Sequence, residues 1–110
     1  MISEGIIHKF WKLKIAEHYK NQGFEVLVEE NINGRPDIIV VNKDKRGAIE
    51  IETGKSHYIE NIQRDIQAGF DEVICVATNK AVENKIKEEL KKNTVVDKRV
   101  IVIFVLNYQI

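Results

Sequence analysis

The sequence predicts an α/β fold: a three-layer sandwich with a central mixed sheet, in the order α-β-β-β-α-β-α-β, built by residues 1–110 as one domain. Three observations predict it. Apolar residues recur at helical spacing in some stretches and at alternate positions in others. The polar, turn-like stretch Asn42-Lys43-Asp44-Lys45-Arg46 separates two runs with strand character. Val100 to Leu106 is apolar on both faces, as a strand covered by helices on each side would be.

Each element has its own justification. Ser3 caps a first helix running to about Gln22, with Ile6, Phe10, Leu13 and Ala16 as its buried stripe and Ile7 and Trp11 beside it. Gly23 ends that helix. Phe24 to Glu30 sets Phe24, Val26 and Val28 against Glu25 and Glu29, a half-buried strand. Asn31 to Gly34 turns the chain, and Pro36 suits the beginning of the next strand. A hairpin follows, from Asp37 through Thr53. Ser56 precedes a helix with Ile59, Ile62 and Ile66 inward and Gly69 at its end. Glu72 to Ala77 is the next strand, Asn79 caps a helix buried through Val82, Ile86 and Leu90, and the last strand closes the order.

Composition frames the function classes. Hydrophobic residues make up 44% and charged residues 31%, the balance of a soluble globular protein. Seventeen basic and seventeen acidic residues cancel, so no bulk positive field announces a nucleic-acid partner. The distribution says more. Residues 1–23 carry a net of +2, residues 24–79 a net of −5 and residues 80–110 a net of +3. An acidic centre flanked by basic segments suits a metal site that handles a polyanion. The single Cys75, in the apolar run Val73-Ile74-Cys75-Val76-Ala77, precludes an internal disulfide and reads as a small hydrophobe in a reducing, cytoplasmic setting. No secretory signal is expected, and no apolar run approaches the ~20 residues needed to span a bilayer.

The chemistry-bearing pattern is a set of carboxylates on the hairpin. If residues 43–46 form its loop, Asn42 faces Gly47 and Asp37 stands opposite Glu52, with Glu50 the diagonal neighbour on the same face. Ile39, Val41 and Ala48 share that face, so the carboxylates interrupt an apolar surface. Like charges directly opposed destabilise a sheet, and a divalent cation is the natural compensation. Hydrolysis of a phosphodiester needs charge neutralised on the phosphate and a nucleophile made from water, and a hard, oxygen-ligated cation does both. Asp37 and Glu50 then hold the metal. Glu52 extends the site or accepts a proton from the attacking water, and Lys55 stabilises the transition state. Without metal, repulsion within the cluster raises at least one carboxylate's pKa.

Arg35-Pro36-Asp37, followed about a dozen residues later by Glu50-Ile51-Glu52 with Lys55 close by, resembles the PD-(D/E)xK nuclease superfamily, which includes restriction endonucleases and archaeal Holliday junction resolvases. The resemblance covers essentially the whole chain and implies a restriction endonuclease-like fold, DNA as substrate, Mg²⁺ (or Mn²⁺) bound by Asp37 and Glu50, and a homodimer. It also implies that Glu4 matches an additional acidic ligand of some resolvase-like members. Glu52 departs from the pattern, standing where the superfamily's lysine belongs; Lys55 supplies the missing ammonium if the chain bends at Gly54. Residues 49–56 are similar to a segment of archaeal nuclease-like domains, some fused to ATPases, so an ATPase partner is a further expectation.

Each residue also has a bland role. Glu50 and Glu52 suit the solvated face of an edge strand, and Asp37 suits a turn. Glu4 and His8, four apart, suit a surface pair; His18 and His57 suit solvent. Lys55 and Ser56 at a helix N-terminus, and Gln63 and Arg64 on that helix, suit backbone phosphates. The basic helices at 9–20 and 80–92 suit phosphates without reading sequence. Thr53-Gly54-Lys55-Ser56 imitates the end of a P-loop, but the glycine required five residues before Gly54 is Ile49. The competing class is a nuclease fold without activity that binds nucleic acid or a partner protein.

Overall fold

The structure, a computed structural model, describes residues 5–29, 35–54, 57–95 and 97–108. Ser3, Glu4, the turn at 31–34, Lys55 and Ser56 lie outside the described residues. The chain forms a mixed α/β fold: α1 (Ile6–Asn21), β1 (Glu25–Val28), β2 (Ile38–Asn42), β3 (Lys45–Glu52), α2 (Tyr58–Gln67), β4 (Glu72–Ala77), α3 (Lys80–Lys92) and β5 (Val100–Phe104), then a short 3-10 turn at Val105–Asn107. The five strands make one open sheet in the order β1-β2-β3-β4-β5. The first three are antiparallel neighbours, while β3, β4 and β5 run parallel. Among the described residues, no helix is long and apolar enough to cross a membrane.

Alternation along the strands sends side chains to two cores. On one face Ile38, Val40, Ile49, Ile51, Ile74 and Val76 pack with Ile15 and Ala16 of α1. On the other Ala48, Val73, Cys75 and Ala77 pack with Tyr58 and Ile62 of α2 and Val82 and Ile86 of α3. Asn79 caps α3 as expected, its side chain accepting the Val82 N–H at 2.9 Å. Gly23, at φ +92°, ends α1 in the left-handed conformation that glycine adopts without strain.

Four expectations need correction. The β2–β3 turn has two residues, not four: Asn42 pairs with Lys45 because Lys43 takes φ +60°, which closes a two-residue hairpin. The buried stripe of α1 is not Ile6-Phe10-Leu13; those residues are 89%, 51% and 54% exposed. The helix instead buries Ile15 and Ala16 together with Lys12, whose ammonium donates to the Glu29 carbonyl at 2.8 Å while its stem lies inward. The last strand stops at Phe104 and lies at the sheet edge, half-buried, rather than covered on both faces. His18 is not turned to solvent: its ring packs edge-on against Tyr19 and Tyr108, with centroids 5.3 and 5.1 Å away.

Candidate functional site

The tighter hairpin shifts the ribbon by two residues, which keeps every side chain on its face but changes its partner. Ile38 pairs with Ile49, so Asp37 lies at the level of Glu50, not Glu52. Across the parallel ladder Glu50 pairs with Cys75 and Glu52 with Ala77. All four occupy the face that α2 and α3 cover. Ala48, Cys75 and Ala77 are small, and that leaves room for carboxylates beside them. Glu50 and Glu52 are buried rather than solvated, which removes the edge-strand reading.

Asp37 sits just before β2 and takes over a ladder position. Its Oδ2 accepts the Ile51 N–H at 2.7 Å, and His8 Nε2 of α1 lies 3.1 Å from the same oxygen. The residue therefore ends the strand pairing and ties three elements together.

Glu50 meets α2. Arg64 Nη2 donates to Glu50 Oε2 at 2.7 Å and to Asp65 Oδ1 at 3.0 Å, and Arg64 Nη1 donates to Asn61 Oδ1 at 3.3 Å. One guanidinium thus serves two carboxyl groups. Burial, then the hydrogen bond and charge of Asp65, then the charge of Asp37, push the Glu50 carboxyl up to about 11, against the opposing pull of Arg64. Glu50 consequently keeps its proton at neutral pH although it touches an arginine. Asp65 Oδ2 is buried and finds no protein donor other than that proton. The expected like-charge repulsion is present, but desolvation exceeds it and Asp65 contributes more than Asp37.

Cys75 lies within the same field. Burial and the charges of Glu52, Glu50 and Asp65 hold its thiol well above the usual range, which keeps it protonated and inert. Glu52 is 1% exposed, and its carbonyl accepts both the Thr78 N–H, at 3.1 Å, and the Thr78 hydroxyl, at 3.0 Å. Beyond Glu52 the chain bends at Gly54, φ +101°, as the expected placement of Lys55 required; Lys55, Ser56 and Glu4 fall outside the described residues.

Among the described residues, no group of three or more His, Cys, Asp or Glu side chains is placed to hold a metal ion. Asp37, Glu50 and Glu52 are therefore not gathered as a ready-made ligand set. What fits a cation is narrower. Asp37 and Glu50 are level across the hairpin, the surrounding carboxyl groups outnumber the guanidinium, and one buried oxygen of Asp65 lacks a donor. A hydrated Mg²⁺ uses only one or two protein carboxylates, so this donor chemistry suits it.

Two residues escaped sequence reasoning. Asp65 had a visible signal: it falls on the stripe Tyr58-Ile62-Asp65, an acid among inward positions of α2. His8 was read as a surface residue and instead touches Asp37. Arg64, expected to reach phosphate, faces the carboxyl groups.

No family model matches the chain, and no curated protein matches it. Among solved structures it is similar to the crystal structure of AF1548, a protein of unknown function, with a TM-score of 0.55 and 11% sequence identity. The match covers 89% of this chain, which spans 58% of the length of that one. At that identity the likeness concerns the fold alone.

Proposed function

We propose that this chain is a divalent-metal-dependent phosphodiesterase of the restriction endonuclease-like class that cleaves DNA. The observation that carries the reading is the surplus of acid at the carboxyl end of β3. Glu50, Glu52 and Asp65 are buried on one face with Asp37 beside them, and Arg64 is shared between two of them. Buried carboxylates without matching cations are costly, so such a surplus is a demand for positive charge. Its place also supports the reading, because open α/β sheets bind ligands outside the carboxyl ends of their parallel strands.

Asp37 and Glu50 are the residues that would hold Mg²⁺, which when bound would neutralise phosphate charge and acidify a water. The chain's own groups do the rest. The Ile51 N–H and His8 fix the Asp37 carboxylate. Arg64, released from Glu50, is within reach of a phosphate oxygen, and Glu52 accepts a proton from the attacking water. Lysines of α1 and α3 hold the backbone without reading bases. A homodimer, an ATPase partner, and roles for Lys55, Ser56 and Glu4 belong to the same proposal.

Titration calorimetry with Mg²⁺ and Mn²⁺, followed by incubation with plasmid and branched DNA, tests it. Cutting that needs metal and disappears in Asp37→Ala and Glu50→Ala is the expected result; metal binding that survives both substitutions would end the proposal. One observation favours a second reading, a nuclease fold that binds nucleic acid or a partner without cutting: Arg64 already answers Glu50, and no three-ligand group stands among the described residues. Tight DNA binding with no cleavage under either metal selects it.

A further inference from the structure

We propose that the outward face of α1 is the contact surface for a second copy of this chain, forming a two-fold dimer in which the two α1 helices lie antiparallel. The inference stands apart from the carboxylate cluster and does not need it.

Seven large hydrophobic side chains stand exposed among the described residues, and five of them gather here. Ile6, Phe10 and Leu13 form a stripe at helical spacing on α1. Ile7, 62% exposed, lies beside them, and Leu106, 68% exposed, projects from the 3-10 turn. Phe10 and Leu106 belong to one surface, because both line a groove of about 190 Å³ together with Trp11, Lys14, Val105 and Tyr108. At these exposures the five side chains present on the order of 500 Å² of apolar surface, more than a monomer usually leaves in one patch. A stable interface needs roughly 800 Å² from each partner. The patch supplies most of that, and the stems of Lys9, Lys14 and Glu17 form a polar rim around it.

The occupant follows from the shape and charge of this face. Helix α1 packs over β1, β2 and β3, and the groove opens on the side toward β5 and the turn that follows it. The vacant place therefore lies beside an apolar helix on a sheet, and a second amphipathic helix suits it. The same stripe on another copy provides that helix, which is the self-complementarity a two-fold contact demands. Charge sets the direction. Lys9 and Glu17 are both exposed and lie four residues to either side of Leu13. An antiparallel crossing centred on Leu13 brings Lys9 of each copy to Glu17 of the other, twice by symmetry. A parallel crossing in register would set Lys9 against Lys9. Antiparallel helices also oppose their dipoles.

Sedimentation equilibrium of the whole chain, from low micromolar to hundreds of micromolar, measures the association. The expected result is a monomer–dimer equilibrium that Phe10→Glu with Leu13→Glu weakens at least tenfold, leaving the circular dichroism spectrum and thermal midpoint unchanged because both side chains are already exposed. Leu27→Glu, at an exposed apolar site on β1 away from this face, leaves the dimer intact. Lys9→Glu weakens it, and adding Glu17→Lys restores it. Leu13→Cys yields a disulfide-linked dimer on mild oxidation, while the native Cys75, being buried, yields none. A wild-type chain that stays monomeric across the range overturns the proposal, as does a dimer indifferent to Leu13→Glu. Failure of the double charge exchange to restore association overturns the antiparallel arrangement.

Discussion

The two faces of the sheet solve the same packing problem with opposite materials. Toward α1, β-branched side chains from three neighbouring strands (Ile38 and Val40, Ile49 and Ile51, Ile74 and Val76) close a dry core. Toward α2 and α3 the sheet presents small residues, Ala48, Cys75 and Ala77, and the volume they leave holds Glu50 and Glu52 against Asp65 and Arg64. The first face gains stability from transfer and packing alone. The second holds ionisable groups in a low-dielectric place, where each must be neutralised or kept protonated. A chain of this size spends half its core on such groups only where they do something beyond packing.

Perturbations should separate the faces, and the largest effect is expected on the dry one. Ile15→Ala opens a cavity under α1 and should cost about 3–4 kcal/mol in urea unfolding, whereas Leu13→Ala, two residues away on the exposed side, should cost under about 0.5 kcal/mol. On the acidic face, Arg64→Met should cost about 3 kcal/mol at neutral pH by stripping the shared guanidinium from two buried carboxyl groups. Adding Asp65→Asn should recover most of it; if the double variant is no better than the single one, the guanidinium is not compensating charge there.

Per pH unit the next effect is smaller. The folded state raises the Glu50 pKa from 4.5 to about 11, so between those values the native chain holds a proton that the unfolded chain has released. Glu50 therefore destabilises the fold progressively as pH rises above 4.5, with a slope of at most about 1.4 kcal/mol per unit, and adds no slope below that value. Glu50→Gln should flatten the decline measured by denaturant titration from pH 5 to 9, and an unchanged slope would locate the titrating group elsewhere. The smallest effect compares helix starts. Asn79→Ala should cost about 1 kcal/mol by removing the cap on α3, while Gly5→Asn, at the start of α1 where no side chain caps, should gain a few tenths.

Much of this contrast was legible in the sequence, and the parts that were not have physical reasons. Glu50 and Glu52 share a face with Ala48 because strand alternation is rigid, so their common side was readable without coordinates. Their partner was not. Whether Lys43 adopts a left-handed conformation decides between a two-residue and a four-residue turn, and lysine carries no signal for it. Helix α1 misled for another reason. It has apolar residues on opposite sides, and periodicity alone does not tell which stripe meets the sheet. The buried one includes Lys12, whose ammonium escapes to a carbonyl. Asp65 was readable as an acid at an inward helical position, but a single polar residue in a stripe gives no partner, and its partner lies fifteen positions earlier on another element.

One carboxylate oxygen has a use beyond chemistry. Because Asp37 Oδ2 already accepts the Ile51 amide and lies against the His8 ring, anything that grips this side chain tugs on a backbone proton and an imidazole at once. Both are visible by nuclear magnetic resonance. The amide signal of Ile51 and the ring signals of His8 form a built-in gauge of occupancy, able to show a visitor at the hairpin before any reaction is found for it.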